Sequence, residues 1–162
     1  MKEDVKTKIF LFAALALFPI LALSSGHPVA RPEAKSKTFA QALVEQTKAR
    51  HPKADEVGIA VRLKSGCKTI ASTDPGDVGE ACEKDDVAPM QTGKPYVEKE
   101  RDGYDVSVPL RDAQGRMIGS LGVGFKREAG QTESKLAAEA LAISKELAPQ
   151  IPSKKKLFGP AK

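Results

Sequence analysis

The sequence has 162 residues but no Trp, two Cys, two His and two Tyr. No Cys-x-x-Cys or His-Glu-x-x-His spacing occurs, so a zinc, haem or metallohydrolase site is not indicated. There is no Gly-rich phosphate loop, and the two histidines, His27 and His51, lie in a leader and after a predicted helix, where they assemble no Ser-His-Asp arrangement. We therefore expect a protein that is not an enzyme and that holds no metal or cofactor.

The long apolar run of the chain covers residues 9–23 and follows Lys2, Lys6 and Lys8. It is shorter than the roughly 20 residues that a spanning helix needs, it contains Pro19, and it ends in small residues. This is the pattern of a secretory signal peptide. We expect residues 1–24 to be that signal and the protein to be periplasmic or secreted, with an uncleaved N-terminal anchor as the alternative.

Positive charge is concentrated at the two ends of the sequence. The whole chain has 26 Lys plus Arg and 21 Asp plus Glu, but residues 25–153 contain 19 of each. A neutral body argues against a nucleic-acid-binding domain, which would carry a basic footprint. We expect residues 25–35, with their prolines, to be a flexible leader and residues 152–162 to be a basic disordered tail. Membrane contact is expected only through the signal segment or this tail.

Both cysteines, Cys67 and Cys82, lie in the part of the chain that would be exported. An even count in an oxidising compartment favours a disulfide, and two unpaired thiols are the alternative.

The hydrophobic pattern between these ends predicts one α+β domain over residues 36–151. A helix at 36–50, capped by Ser36 or Thr38, precedes two strands joined at Ser65-Gly66. A long loop with an acidic cluster, and a short helix around residues 81–85, covers residues 74–93. Three antiparallel strands then precede a helix that starts at Thr132 and ends before Pro149. The predicted strands are 57–63, 68–73, 95–101, 104–111 and 116–126.

The two faces of this five-stranded antiparallel sheet differ in side-chain size. One face is aliphatic and would be buried under both helices. The other would be a floor of small and polar residues beneath the long loop, so it is either a ligand pocket or a solvated face. Its predicted members are Gly58, Ala60, Arg62, Asp105, Ser107, Ser120, Gly122 and Gly124.

Short motifs in a fixed order resemble the extracytoplasmic PAS-like sensor domains called Cache domains, of the single-module (PDC) kind. The motifs are Gly66 and the stretches 70–75, 78–79, 92–97, 103–110, 112–115 and 118–123. The resemblance implies a PAS-like sheet behind a long N-terminal helix and a pocket that binds small metabolites. Family members usually pass a signal to an attached module, whereas this sequence ends soon after Ala148, so we expect output through an unknown protein partner.

A second departure from the family concerns the ligand, and several residues are candidates for the site. The aromatic and Arg signature for amino acids is missing from the first helix, where Phe39 is the sole aromatic residue. Arg62 is expected to clamp a carboxylate by a bidentate fork, or else to pair with Asp105 across the sheet. The other candidate ligand-binding residues are Tyr96, Tyr104, Asp105, Ser107, Ser120, Met90 and Lys94.

Three hypotheses follow from the sequence. The first is a free-standing sensor domain that binds a small anionic metabolite and hands the bound state to a partner, with homodimer formation left open. The second is an envelope interaction module with a degenerate pocket. The third is a small hydrolase or redox protein that uses Cys67 or Cys82.

Overall fold

Five strands and three α-helices make up the structure, a computed structural model that describes residues 37–161. The predicted signal peptide and leader lie outside the described residues. The helices are α1 (Phe39–Arg50), α2 (Lys84–Thr92) and α3 (Glu133–Leu147). The strands are β1 (Ala54–Leu63), β2 (Gly66–Ser72), β3 (Tyr96–Lys99), β4 (Gly103–Arg111) and β5 (Met117–Lys126). Short 3-10 turns occupy Pro75–Asp77, Ala148–Gln150 and Lys154–Phe158.

The strands form a single antiparallel sheet in the order β2-β1-β5-β4-β3. The turn from β1 to β2 passes through Gly66, whose φ of +124° suits a residue without a side chain. β1 and β5 pair at Ala54↔Phe125 near one end of the sheet and at Ala60↔Ser120 towards the other. The predicted α+β class is confirmed.

Helices α1 and α3 cover the aliphatic face. Thr38 begins α1, because its hydroxyl accepts a hydrogen bond from the Gln41 backbone N–H at 3.1 Å, and Thr132 caps α3 in the same way. The α3 stripe is buried, and in α1 Leu43, Val44 and Thr47 are buried whereas Phe39 is partly buried. They pack on strand residues that alternate inwards, as predicted, namely Val57, Ile59, Val61, Val106, Val108, Leu121, Val123 and Phe125.

Helix α2 differs from its prediction in both position and length. It spans Lys84–Thr92 and contacts β4 and β5. A carboxylate oxygen of Asp86 accepts from the Glu83 backbone N–H at 3.1 Å and caps the start, and Gly93, at φ +70°, ends the helix. Pro89 lies inside the helix, in a stretch that the sequence pattern assigns to an irregular loop. The capping residues outweigh the backbone hydrogen bond that this proline cannot make.

The C-terminal segment corrects a second expectation, because residues 152–161 are not a solvated tail. Leu157 is fully buried in the core, and the Phe39 backbone N–H donates to the Gly159 carbonyl at 2.7 Å. A bridge between Thr38 and Pro160 continues this contact. The sequence favoured disorder because three lysines precede Leu157, but this one apolar side chain fixes the segment against α1.

None of the helices described between residues 37 and 161 is long and apolar enough to span a membrane.

Candidate functional site

A cavity of about 720 Å³ lies on the sheet face opposite α1 and α3. Its floor is made of small residues from three neighbouring strands, as the alternation predicted. A Cβ added at Gly122 would reach Ser107 Oγ at 3.8 Å, an ordinary contact, so the space above this glycine is open. The small-residue face is therefore the floor of a cavity. Its members are Gly58, Ala60, Asp105, Ser107, Gly122 and Gly124.

The segment after β2 is fixed along one wall of this cavity. The backbone N–H of Thr69 donates to the Glu80 carbonyl at 3.1 Å, and that of Gly79 donates to the Thr69 carbonyl at 2.9 Å. A disulfide joins Cys67 in β2 to Cys82, which confirms the predicted bond. These constraints hold the acidic part of the long loop beside the sheet, and α2 follows directly.

Carboxylates line the cavity from both sides. The segment that covers the cavity, residues 74–93, is called the covering segment, and it contributes five of them, Asp77, Glu80, Glu83, Asp85 and Asp86. Strands β1 and β4 and the turn between β3 and β4 contribute five more, Asp55, Glu56, Glu100, Asp102 and Asp105.

Two basic residues, Lys126 and Arg127, lie among the lining residues, and both have partners. Lys126 Nζ is 3.0 Å from Asp55 Oδ1, and the Arg127 guanidinium donates to the Glu100 carbonyl at 2.5 Å. The negative charge of the lining therefore exceeds the positive charge by a wide margin.

Glu56 is the centre of one carboxylate group in the cavity. Ser72 Oγ lies 3.2 Å from Glu56 Oε1 and 3.0 Å from Asp77 Oδ2, so one hydroxyl is shared by two carboxyl groups. Burial, and then the proximity of Asp77, raises the pKa of Glu56 to about 7. Carboxylate oxygens of Glu56, Asp74 and Asp77 also lie within 4.8 Å of one another, a spacing that suits a cation.

Asp105 forms a second carboxylate group with the start of α2. Burial, followed by the neighbouring carboxyls of Asp85 and Asp86, raises the pKa of Asp105 to about 8. Ser107 Oγ donates to Asp85 Oδ2 at 3.4 Å, and burial together with Asp85 also raises the pKa of Asp86. Glu56 and Asp105 oppose each other across Gly124. Negative charge thus accumulates on both sides of Gly124, where an added Cβ would lie only 3.2 Å from the Glu56 Cβ.

The structure brings three of the predicted binding residues to the cavity. Tyr104, Asp105 and Ser107 are among its lining residues. Ser107 is buried and faces the start of α2, whereas Tyr104 is partly buried and also packs against the core.

Arg62 is not in the cavity. It is exposed near the end of β1, six residues beyond Glu56, and its register partner is Cys67 in β2. Because a strand rises about 3.3 Å per residue, Arg62 lies roughly 20 Å from the row that contains Glu56 and Asp105. Neither the carboxylate clamp nor the pairing with Asp105 is therefore formed. Alternation placed Arg62 on the correct face but could not say how far along the strand the cavity extends.

The remaining predicted residues also lie outside the lining. Tyr96 opposes Ser107, and its ring has Lys84 Nζ 5.6 Å from its centroid. Met90 is a partly buried residue of α2, and Lys94 is exposed just after that helix. Ser120 is fully buried, and within residues 37–161 its hydroxyl has no hydrogen-bond partner.

Sequence reasoning identified Asp105 but missed the other nine acidic residues of the lining. The loop of residues 74–93 was recognised as acidic, but its charge was not assigned to the pocket wall. Glu56 was missed because the predicted strand began at Val57, whereas β1 begins at Ala54. The available signal was the density of Asp and Glu in a loop that the Cys67–Cys82 bond ties to the sheet.

No protein-family model matches the chain, and no curated protein matches it. Solved structures do match. The nlh2 GAF domain of A. aeolicus has a TM-score of 0.52 at 14% identity, over 75% of this chain and 86% of that one. The Agobacterium tumefaciens repressor BlcR has a TM-score of 0.50 at 10% identity, over 70% of this chain and 67% of that one.

A third match is the type II free methionine-R-sulfoxide reductase of Thermoplasma acidophilum. It has a TM-score of 0.47 at 21% identity, over 74% of this chain and 92% of that one. At these identities a match establishes the fold and nothing more. The chain therefore has the fold of GAF and PAS-like domains.

Proposed function

We propose that the protein is a free-standing sensor-type domain of the Cache kind that binds a small organic cation. The observation that carries the proposal is the cavity of about 720 Å³, whose lining has ten acidic and two basic side chains. This reverses the charge of the ligand that the sequence suggested. An anion would enter a site in which its nearest charged neighbours repel it.

The raised pKa values of Glu56 and Asp105 support a cationic ligand. In both cases burial and a second carboxyl disfavour the charged carboxylate, so the group retains its proton to a higher pH. Within the described residues, no cation near either group offsets this effect. An ammonium group placed between the two carboxylates would supply a positive charge and displace the protons. Binding should therefore release protons and strengthen as the pH rises.

The size and lining of the cavity favour an organic cation over a bare metal ion. Its volume lies within the range of about 300–1,000 Å³ that is usual for small-molecule sites. The floor is made of small residues such as Ala60 and Gly122, which leave room for the alkyl part of an organic cation. A diamine or polyamine would reach the Glu56 and Asp105 groups at once.

Export and a separate partner complete the proposal. The signal peptide predicted at residues 1–24 would send the protein to the periplasm or outside the cell, where the Cys67–Cys82 bond would persist. A partner protein would read the bound state, and the covering segment with α2 is the part best placed to report it. We propose no catalytic activity.

Thermal unfolding of the full chain against paired ligands tests this function. The panel contains mono-, di- and polyamines and quaternary ammonium ions, with dicarboxylates of matched length as controls. A cation at about 100 times its dissociation constant should add about 2.7 kcal/mol and raise the midpoint by several degrees. Stabilisation by the dicarboxylates instead would contradict the proposal, and no shift with any ligand would favour the interaction module.

Gly122 offers a matched pair of variants for this experiment. Gly122→Ala adds one carbon that makes ordinary contacts, whereas Gly122→Val adds bulk above the cavity floor while keeping good strand propensity. We expect the Ala variant to bind the cation more weakly than the unmodified chain, and the Val variant to bind it more weakly still. Both variants should retain cooperative unfolding. Equal binding by the Val variant and the unmodified chain would place the ligand elsewhere.

A further inference from the structure

The end of the sheet opposite the cavity carries cations without acidic partners. Arg62 and Lys64 lie at the end of β1 and in the turn after it, and Arg111 ends β4. All three are exposed, as is Lys155, and Lys154 is partly exposed. Among residues 37–161, none of these five pairs with a carboxylate. We call these five residues the basic end.

Asp112 follows Arg111 directly and is already paired with another cation, Arg116. Asp112 begins the turn after β4 and is almost fully buried, and its Oδ2 lies 2.7 Å from the Arg116 guanidinium. Hydrogen bonds from Arg116 lower the pKa of Asp112. Asp112 therefore does not offset the positive charge of the basic end.

The C-terminal segment adds an exposed aromatic ring to this end. Lys154 Nζ donates to the Arg62 carbonyl, and Leu157 is buried in the core. Because Leu157 anchors the segment, the next side chain points outwards, and Phe158 is 47% exposed. A large apolar side chain beside several lysines is typical of a surface that contacts a lipid headgroup layer.

The described part of the chain also begins at this place. The Ala161 backbone N–H donates to the Lys37 carbonyl at 2.9 Å, so the entry into α1 lies beside the C-terminal segment. In the sequence, the apolar run of residues 9–23 precedes that entry.

We propose that the basic end rests on an anionic lipid surface, with Phe158 at headgroup depth. Lys64 and Lys155 supply electrostatic attraction, and Phe158 supplies interfacial anchoring. The exposed ring favours lipid over nucleic acid, because a phosphate backbone alone offers Phe158 no apolar environment. In this orientation the acidic cavity opens at the far end of the sheet, away from the repelling lipid.

The absence of Trp allows a direct test of this orientation in the full chain. Phe158→Trp places a single fluorophore at the basic end, and Val78→Trp places one at a comparably exposed site, 46%, in the segment that covers the cavity. Vesicles would contain zwitterionic lipid with about one third phosphatidylglycerol and brominated acyl chains as quenchers. We expect a blue shift and quenching at position 158 and none at position 78.

Charge variants separate the basic end from the apolar run, which is common to all the proteins. In the Phe158→Trp background, Lys64→Glu with Lys155→Glu should weaken the vesicle affinity, read from the quenching, at least about 25-fold, because each lysine contributes roughly fivefold. Lys53→Glu with Lys99→Glu makes the same charge change at exposed lysines near the other end of the sheet and should change it less than about twofold.

Three results would overturn the proposal. They are equal quenching at positions 158 and 78, undiminished quenching after the Lys64 and Lys155 reversals, and a shift at position 158 with duplex DNA but not with vesicles.

Discussion

The two ends of the sheet have opposite charge, although residues 25–153, which include all the lining carboxylates and three of the five basic-end residues, contain equal numbers of acidic and basic residues. At the Glu56 and Asp105 end, ten carboxyl groups line a cavity, and the pKa values of Glu56 and Asp105 are raised. At the Arg62 and Lys64 end, five cations face solvent without acidic partners among residues 37–161. The comparison teaches that a neutral composition can hide a strong separation of charge, because the fold decides which residues become neighbours.

Each end also depends on a different constraint outside the sheet. A disulfide holds the acidic wall beside β2, whereas one buried leucine holds the lysine-bearing segment against α1. Changes at these two positions should therefore affect the two ends separately, and they provide the largest effects that we predict.

The largest predicted loss comes from Leu157→Ala. The side chain is fully buried, and a leucine truncated in a core costs about 2–5 kcal/mol. Chemical denaturation of this variant and of Phe158→Ala provides a matched comparison, since Phe158 is 47% exposed. The Phe158 variant should lose less than about 1 kcal/mol. Equal losses would mean that the segment is not part of the core.

Removal of the disulfide should loosen the acidic end. Cys67 and Cys82 are 15 residues apart, so Cys67→Ser with Cys82→Ser should cost about 3 kcal/mol of unfolding free energy. The covering segment should then exchange amide hydrogens faster at Glu80 and Ala81, while α1 and the 154–158 turn change little. Uniform acceleration throughout the domain would show that the bond does not act on this wall in particular.

A smaller and pH-dependent effect is expected at Asp105. A carboxyl whose pKa is raised on folding, here to about 8, holds its proton more tightly in the folded chain. Its contribution therefore favours folding at low pH and is lost as the pH rises from the unfolded value towards 8. Between about pH 5 and pH 7, one such group makes stability fall by about 1.4 kcal/mol per pH unit.

Asp105→Asn should remove that share of the slope, as measured by denaturant unfolding at several pH values. Asp102→Asn is the control, because the Asp102 side chain is 89% exposed in the turn before β4. If both variants retain the full slope, Asp105 does not carry the raised pKa.

The smallest predicted effect is at Arg62. Because Arg62 lies at the opposite end from the acidic cavity, Arg62→Ala should change cation affinity less than about twofold, and the unfolding free energy by less than about 0.5 kcal/mol. Calorimetric titration of the amine that gives the largest thermal shift measures this. A large loss of affinity would return Arg62 to the site and break the comparison between the two ends.

Much of the fold could be predicted from hydrophobic periodicity. The stripe of Leu136, Ala140, Ile143 and Leu147 predicted α3, and period-two alternation separated the aliphatic face from the small-residue floor. Helix α2 was misplaced because Pro89 is usually a helix breaker, and the local capping by Asp86 is a weaker signal than a proline.

The charge of the site could not be predicted in the same way. Asp77, Asp85 and Asp86 reach the cavity through tertiary contacts of an irregular segment, for which no period gives a facing direction. Arg62 illustrates the converse, since its face was correct but its distance from the cavity depends on where the covering segment ends. Leu157 was hidden by its lysine neighbours.

The most direct test of the charge separation is paramagnetic relaxation of backbone amides by small spin probes of opposite charge. An aminomethyl nitroxide should broaden the amides of Gly122 and Gly124 on the cavity floor, and a carboxylate nitroxide should broaden those of Lys64 and Lys155. A neutral nitroxide corrects for exposure. Equal broadening of both groups by both charged probes, or preference of the carboxylate probe for the cavity, would contradict the account.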